Sequence, residues 1–164
     1  MSLSVRAPLA GTVVALSDVP DPVFAGAVVG AGLAIEPLAD GGEVVAVSPV
    51  AGSIGTVHPH AFVVVDAASG AGVLVHLGID TVRLHGEGFR LHVAAGDQVR
   101  AGDAVISFDP AAVRAAGLSA VCPVVVFSST AENCRAGAPA GSVVQPGDPL
   151  FDWTASEPAP AGGA

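Results

Sequence analysis

Glycine and proline interrupt this chain so often that no long helix and no long strand fits between them. The 21 glycines and 13 prolines leave short runs of Val, Leu and Ile, such as 62–65 and 73–77. β-Branched runs bounded by turn formers read as strands. Many of them at about 8–12-residue spacing make an antiparallel sandwich or barrel. Two units also repeat: APLAGTVVAL (7–16) returns as SPVAGSIGTV (48–57), and GDQVRAGDAVISF (96–108) returns as GSVVQPGDPLFDW (141–153). The expected fold is therefore all-β, an antiparallel β-sandwich or barrel of many short strands with duplicated half motifs. One short helix is expected, over 109–117, with Asp109 as N-cap, Pro110 at the first helical position and Gly117 as the stop.

Four of the five histidines fall within 56–89. The runs 62–65 and 73–77 flank a stretch of turn formers, 66–72, which predicts a β-hairpin. A turn centred near Ala68 sets His60 directly opposite His76, with Cβ atoms about 4.5–5.5 Å apart. A lone histidine is most often an ordinary surface group, but His76 interrupts an apolar strand, and Gly78 has no side chain to cover its ring. Asp80 is placed to orient an imidazole or to meet a basic partner. A neutral imidazole at cytoplasmic pH offers a nitrogen lone pair as nucleophile.

Composition removes several classes of function. The net charge is −9, and all six basic residues are arginines, without one lysine. An acidic chain lacking a basic stripe is a poor nucleic-acid binder and suits a basic protein partner. The missing lysine excludes a Walker-type phosphate loop, a Schiff base and a biotinyl or lipoyl carrier. A mean hydropathy of +0.66 does not signal a membrane span. The longest weakly apolar stretch, 23–35, holds three glycines and falls short of the roughly 20 residues a bilayer requires. No secretory signal is visible, so a cytoplasmic protein is expected. Cys122 and Cys134 lack a CxxC spacing and receive no function. One domain is expected over 1–153, followed by a small, proline-rich and disordered tail over 154–164.

Three blocks carry a family resemblance. GAGVLVHLGIDTV (70–82) with HGEGF (85–89) resembles the active-site segment of the glucose-type enzyme IIA proteins of the bacterial phosphoenolpyruvate-dependent sugar phosphotransferase system. HPHAFVV (58–64) resembles the segment bearing that family's other active-site histidine, and VPDPVFAGAVVGAGLAIEP (19–37) resembles its partner-docking region. The likeness runs in order over nearly the whole chain. It implies that His76 accepts a phosphoryl group on Nε2 from the small carrier HPr and that His60 stabilises the phosphoryl oxygens. The group then passes to a cysteine on the enzyme IIB domain of a sugar permease, of the glucose or N-acetylglucosamine class. Contact with a membrane arises only through that permease, and no cofactor or resident metal is required.

Around the histidines, Val23, Phe24, Phe62, Leu74 and Gly78 are candidate partner contacts, with Asp21 and Asp80 as acidic contacts for arginines on HPr. For Phe24 and Phe62 an ordinary core role is equally open, and for Asp21 a turn role. His58 stands where the enteric members resemble one another in having a threonine. Glu87 reads as a turn acid, and His85 and His92 read as solvated. Two other classes stay open on the residues alone. His58, His60 and His76 would make three imidazoles for a zinc hydrolase, and the same fold would serve a regulatory module that only binds partners.

Overall fold

The computed structural model describes residues 2–38 and 42–155. The expected tail falls almost wholly outside them. The strands are β1 (Ser2–Arg6), β2 (Gly11–Ala15), β3 (Gly30–Pro37), β4 (Val44–Val47), β5 (Gly52–His58), β6 (Ala61–Val65) and β7 (Gly72–His76). They continue as β8 (Phe89–Leu91), β9 (Gln98–Val99), β10 (Ala104–Phe108), β11 (Cys122–Phe127), β12 (Cys134–Ala136), β13 (Val143–Val144) and β14 (Pro149–Thr154). Neighbouring strands pair antiparallel, as in β3 with β11 and β6 with β7. An eight-stranded sheet runs β13-β2-β3-β11-β7-β6-β5-β9, and two three-stranded sheets run β1-β14-β12 and β4-β10-β8. All three contribute to one core, through residues such as Val13, Phe62 and Val75, Phe151, and Ile106 and Phe108.

The sequence repeats become matching halves of the fold. β13 pairs with β2 at one end of the large sheet, and β9 pairs with β5 at the other. The loop hydrogen bonds match position for position. Val13 N–H donates to the Ser142 carbonyl and Ile54 N–H to that of Asp97, both at 2.8 Å. Gly147 N–H donates to the Ala7 carbonyl and Gly102 N–H to that of Ser48, both at 2.9 Å. Gly11 and Gly52, equivalent in the repeat, lie where an added Cβ would strike the backbone carbonyl of Glu36 or Val65. The repeated glycine is thus required by close strand approach.

Among the described residues two short α-helices flank the sheets rather than the expected one. The helix α2 (Pro110–Ala115) forms as its Asp-Pro start predicts, with the Asp109 carboxylate accepting from Ala111 N–H at 3.0 Å. The additional helix, α1 (Pro22–Ala25), begins the same way: Asp21 accepts from Val23 N–H at 2.8 Å and Pro22 opens the turn. Four residues are too few to show a helical period in sequence, and only the Asp-Pro cap announces it.

β7 shows how the sheet divides the apolar residues. Val73 and Val75 face the main core, while Leu74 and His76 alternate to the other side. That outer face is covered by the segment 16–29, whose Leu16, Val19 and Phe24 pack with Ala34, Ile79, Val121 and Val125 in a second cluster. Phe62 pairs with Val75, shares its inward face and is 1% exposed. It is core, and no partner reaches it. His76 lies at the margin of the outer cluster, with its ring 5.3 Å from that of Phe24.

Candidate active site

Sequence placed His60 directly opposite His76, and the structure moves that pairing by one residue. His76 faces Ala61 across the β6–β7 ladder, and Leu77 N–H donates to the His60 carbonyl at 2.8 Å. A one-residue shift normally sends a side chain to the other face. His60 escapes this because it stands outside the ladder. His58 pairs with Ala61, so Pro59 and His60 form the two-residue loop between β5 and β6. Freed from strand alternation, the His60 ring turns onto His76, 5.2 Å between centroids and 71° between planes. The His58 ring stacks on that of His60 at 5.9 Å and 23°.

The chemistry of His76 is set by a backbone group. Its Nδ1 meets the Gly78 carbonyl oxygen. A carbonyl only accepts, so Nδ1 carries the proton and Nε2 keeps its lone pair. Of the two roles expected for Asp80, orienting the imidazole or meeting a basic partner, the first is taken by the Gly78 carbonyl. Asp80 is exposed in the left-handed region at φ 60°. Gly78, expected as a partner contact, is buried. Its φ is +83°, and an added Cβ would lie 2.7 Å from Thr81 Cγ2 and 3.0 Å from the Ser119 carbonyl. The loop is pinned by Thr81 Oγ1, which donates to the Leu77 carbonyl at 2.8 Å, and by Ile79 N–H, which donates to that of Ser119 at 2.9 Å. Gly78→Ala is therefore expected to displace the carbonyl that fixes His76. The left-handed backbone alone costs about 1–2 kcal/mol, and with the close contact we expect at least about 2 kcal/mol. For a chain of this size that is a fall in Tm of roughly 4–8 °C, readable by calorimetry. An unchanged Tm would contradict this.

Both inner imidazoles are held neutral. Burial lowers the pKa of His76 below its ordinary value, partly offset by the hydrogen bond to Gly78 and by the charges of Asp21 and Asp80. Burial also lowers that of His60, with His76 and His58 adding to the effect. The unfolded chain thus binds more protons than the folded one just below pH 6.5. Stability contributed by these groups is present above pH 6.5 and is lost as pH falls from there. Nucleophilic competence at His76 follows the same direction. We expect phosphoryl acceptance to be flat from pH 8 to 6.5 and to decline only below, as a stopped-time assay across that range would show. A decline beginning above pH 7 would contradict it.

Of the remaining candidates, Val23 is 45% exposed beside Phe24, which is itself mostly buried at 7%. Leu74 is partly buried against the second cluster. Asp21 both caps α1 and acts on His76 through its charge. His85 is exposed, as expected. His92 is exposed but not merely solvated, since its Nε2 lies 2.7 Å from Oγ of the buried Ser107. Cys122 and Cys134 are both free thiols, and burial pushes Cys122 up to about 12. No side-chain pattern announces the Gly78 carbonyl as the group that meets His76 Nδ1, beyond the glycine itself.

Residues 3–132 match the family described as phosphoenolpyruvate-dependent sugar phosphotransferase system, EIIA 1. The chain belongs to this family. It is 42% identical over 135 residues to the PTS system glucose-specific EIIA component of Oceanobacillus iheyensis, covering 81% of this chain and 78% of that one. It is 43% identical over 126 residues to the PTS system beta-glucoside-specific EIIBCA component of Bacillus subtilis, covering 76% of this chain and 20% of that longer one. The glucose permease IIA from Mycoplasma capricolum shares the fold with a TM-score of 0.79 and 32% identity, covering 93% of this chain and 96% of that one. As a glucose-type EIIA protein, the chain is a phosphoryl-carrying phosphotransferase component of sugar transport. The zinc-hydrolase alternative finds no support. Among the described residues no group of three or more His, Cys, Asp or Glu is arranged to hold a metal ion, and the matches are to EIIA proteins. No helix among the described residues is long and apolar enough to cross a membrane.

Proposed function

We propose that His76 is the phosphoryl acceptor, that HPr is the donor, and that a cysteine of an enzyme IIB domain of a glucose- or N-acetylglucosamine-class permease receives the group, in the cytoplasm. The reading rests above all on the contact between His76 Nδ1 and the Gly78 carbonyl, which leaves Nε2 as an oriented, unprotonated nucleophile. The Nε2 lone pair forms the new P–N bond. The bond to the donor imidazole breaks, with its electron pair returning to the donor nitrogen, and Nδ1 keeps its proton on Gly78. Such a transfer depends on alignment and charge stabilisation more than on proton transfer. His60, in T-shaped contact at 5.2 Å, supplies an N–H to the phosphoryl oxygens. Val23, with the partly buried Leu74, gives the partner an apolar surface that excludes water during transfer, backed from within by the buried Phe24, and Asp21 and Asp80 meet its arginines. EIIBCA relatives carry EIIA and EIIB in one chain, which favours an EIIB acceptor.

The relay is tested by incubating the protein with phosphoenolpyruvate, enzyme I and HPr, then adding an isolated IIB domain. The expected result is an acid-labile phosphoryl adduct that requires HPr and disappears when IIB is added. A wild-type protein that takes up no phosphoryl group would overturn the reading.

A further inference from the structure

Three successive peptide groups connect the two histidines of the site, and each is held at a polar atom. In the first, Leu77 N–H donates to the His60 carbonyl at 2.8 Å, which ties the β5–β6 loop to the end of β7. In the second, the Leu77 carbonyl accepts from Thr81 Oγ1, also at 2.8 Å. In the third, Ile79 N–H donates to the Ser119 carbonyl at 2.9 Å, while the Gly78 carbonyl meets His76 Nδ1. The first and third are bonded to the histidines themselves. The middle one is held by a side chain four residues further along. Thr81 and Leu77 are both 0% exposed, so bulk water does not reach this carbonyl to replace the hydroxyl.

Gly78 is what makes such a hold necessary. Its φ of +83° favours glycine, but glycine populates other values of φ as readily and by itself leaves the carbonyl that orients His76 free to swing. Thr81 meets both needs of this loop. Its Cγ2 lies 2.7 Å from where a Cβ on residue 78 would stand, and its Oγ1 fixes the peptide that precedes the glycine.

We infer that Thr81 is a positioning residue for phosphoryl transfer: its hydroxyl, acting through the Leu77–Gly78 peptide, holds the Gly78 carbonyl on His76 Nδ1 and so keeps the lone pair on Nε2. Without the hydroxyl the buried Leu77 carbonyl loses its donor, the peptide turns, and the Gly78 carbonyl moves off Nδ1. The proton of the neutral imidazole then resides partly on Nε2, where it blocks attack on phosphorus. This inference deepens the carrier reading given above and rests on it for its kinetic consequence.

Three variants test it. Thr81→Ser keeps the hydroxyl and drops the methyl, Thr81→Ala drops both, and Thr81→Val drops the hydroxyl alone. Imidazole ¹⁵N shifts of His76 in the unphosphorylated protein at pH 8, where a ring with a pKa below 6.5 is neutral, report which nitrogen carries the proton. Wild type and Thr81→Ser are expected to show it on Nδ1, and Thr81→Ala and Thr81→Val to show a mixture of both forms. Single-turnover acceptance from phospho-HPr should fall about tenfold to a hundredfold in Thr81→Ala and Thr81→Val, the scale on which a misplaced group slows transfer, and should stay close to wild type in Thr81→Ser. The phospho-HPr concentration giving half the maximal rate should not change, because the docking surface is untouched. Thr81→Ser and Thr81→Ala differ by one oxygen, so this pair decides even where the valine variant does not fold. Wild-type shifts and rates in Thr81→Ala, or equal losses in Thr81→Ser and Thr81→Ala, would overturn the inference. A wild type that accepts no phosphoryl group overturns the carrier reading alone, because the shifts are read without it.

Discussion

His76→Gln is expected to take up no phosphoryl group, a loss of at least about three orders of magnitude in acceptance, set by removal of the nucleophile. The substitution isolates chemistry from architecture. A glutamine amide can donate to the Gly78 carbonyl much as Nδ1 does, and it fills a similar volume beside Phe24. It has no nitrogen lone pair to form a P–N bond. Stability should therefore stay within about 1 kcal/mol of wild type, as for most substitutions outside a fully buried core. Uptake is read by intact mass after incubation with phosphoenolpyruvate, enzyme I and HPr. A glutamine variant that still accepts would place the acceptor elsewhere.

His60→Gln should separate the two halves of the relay. His60 reaches His76 from the β5–β6 loop at 5.2 Å, close enough to serve a phosphoryl oxygen but not to replace Nε2. The adduct should still form. Onward transfer to IIB should slow by about 10²–10³-fold, the usual cost of removing one oriented donor from a developing charge. Rapid-quench measurement of phosphoryl loss from the loaded protein on mixing with IIB gives the rate. Equal onward rates for the variant and wild type would reduce His60 to a packing residue.

The sequence carried most of the fold because its strongest signals were backbone ones. Pro and Gly at repeat positions set the turns, and Asp109-Pro110 set a helix start; each came out where chemistry requires it. The failures lie where one local signal had two readings. Asp21-Pro22 has the same capping chemistry as Asp109-Pro110 but opens a helix of only four residues, so it passed for a turn. Phe62 stands in an unbroken apolar run, 61–65, that marks neither face, and only the pairing with Val75 shows that its face is the inner one. At the site, the closeness of two histidines was legible and the way it is built was not. The proximity of His60 and His76 was expected from strand pairing, whereas it arises from a two-residue loop that frees His60 from the ladder. The orienting role expected of the Asp80 carboxylate falls to a peptide carbonyl, which no side-chain pattern encodes.

The most direct measurement is to load the wild-type protein from phosphoenolpyruvate through enzyme I and HPr, digest it at neutral to basic pH, and locate the phosphoryl group by fragmentation and by phosphorus–nitrogen coupling. The account predicts a single acid-labile group on Nε2 of His76. A phosphoryl group on Nδ1 of His76, on His60 or His58, or on an acid-stable hydroxyl would contradict it.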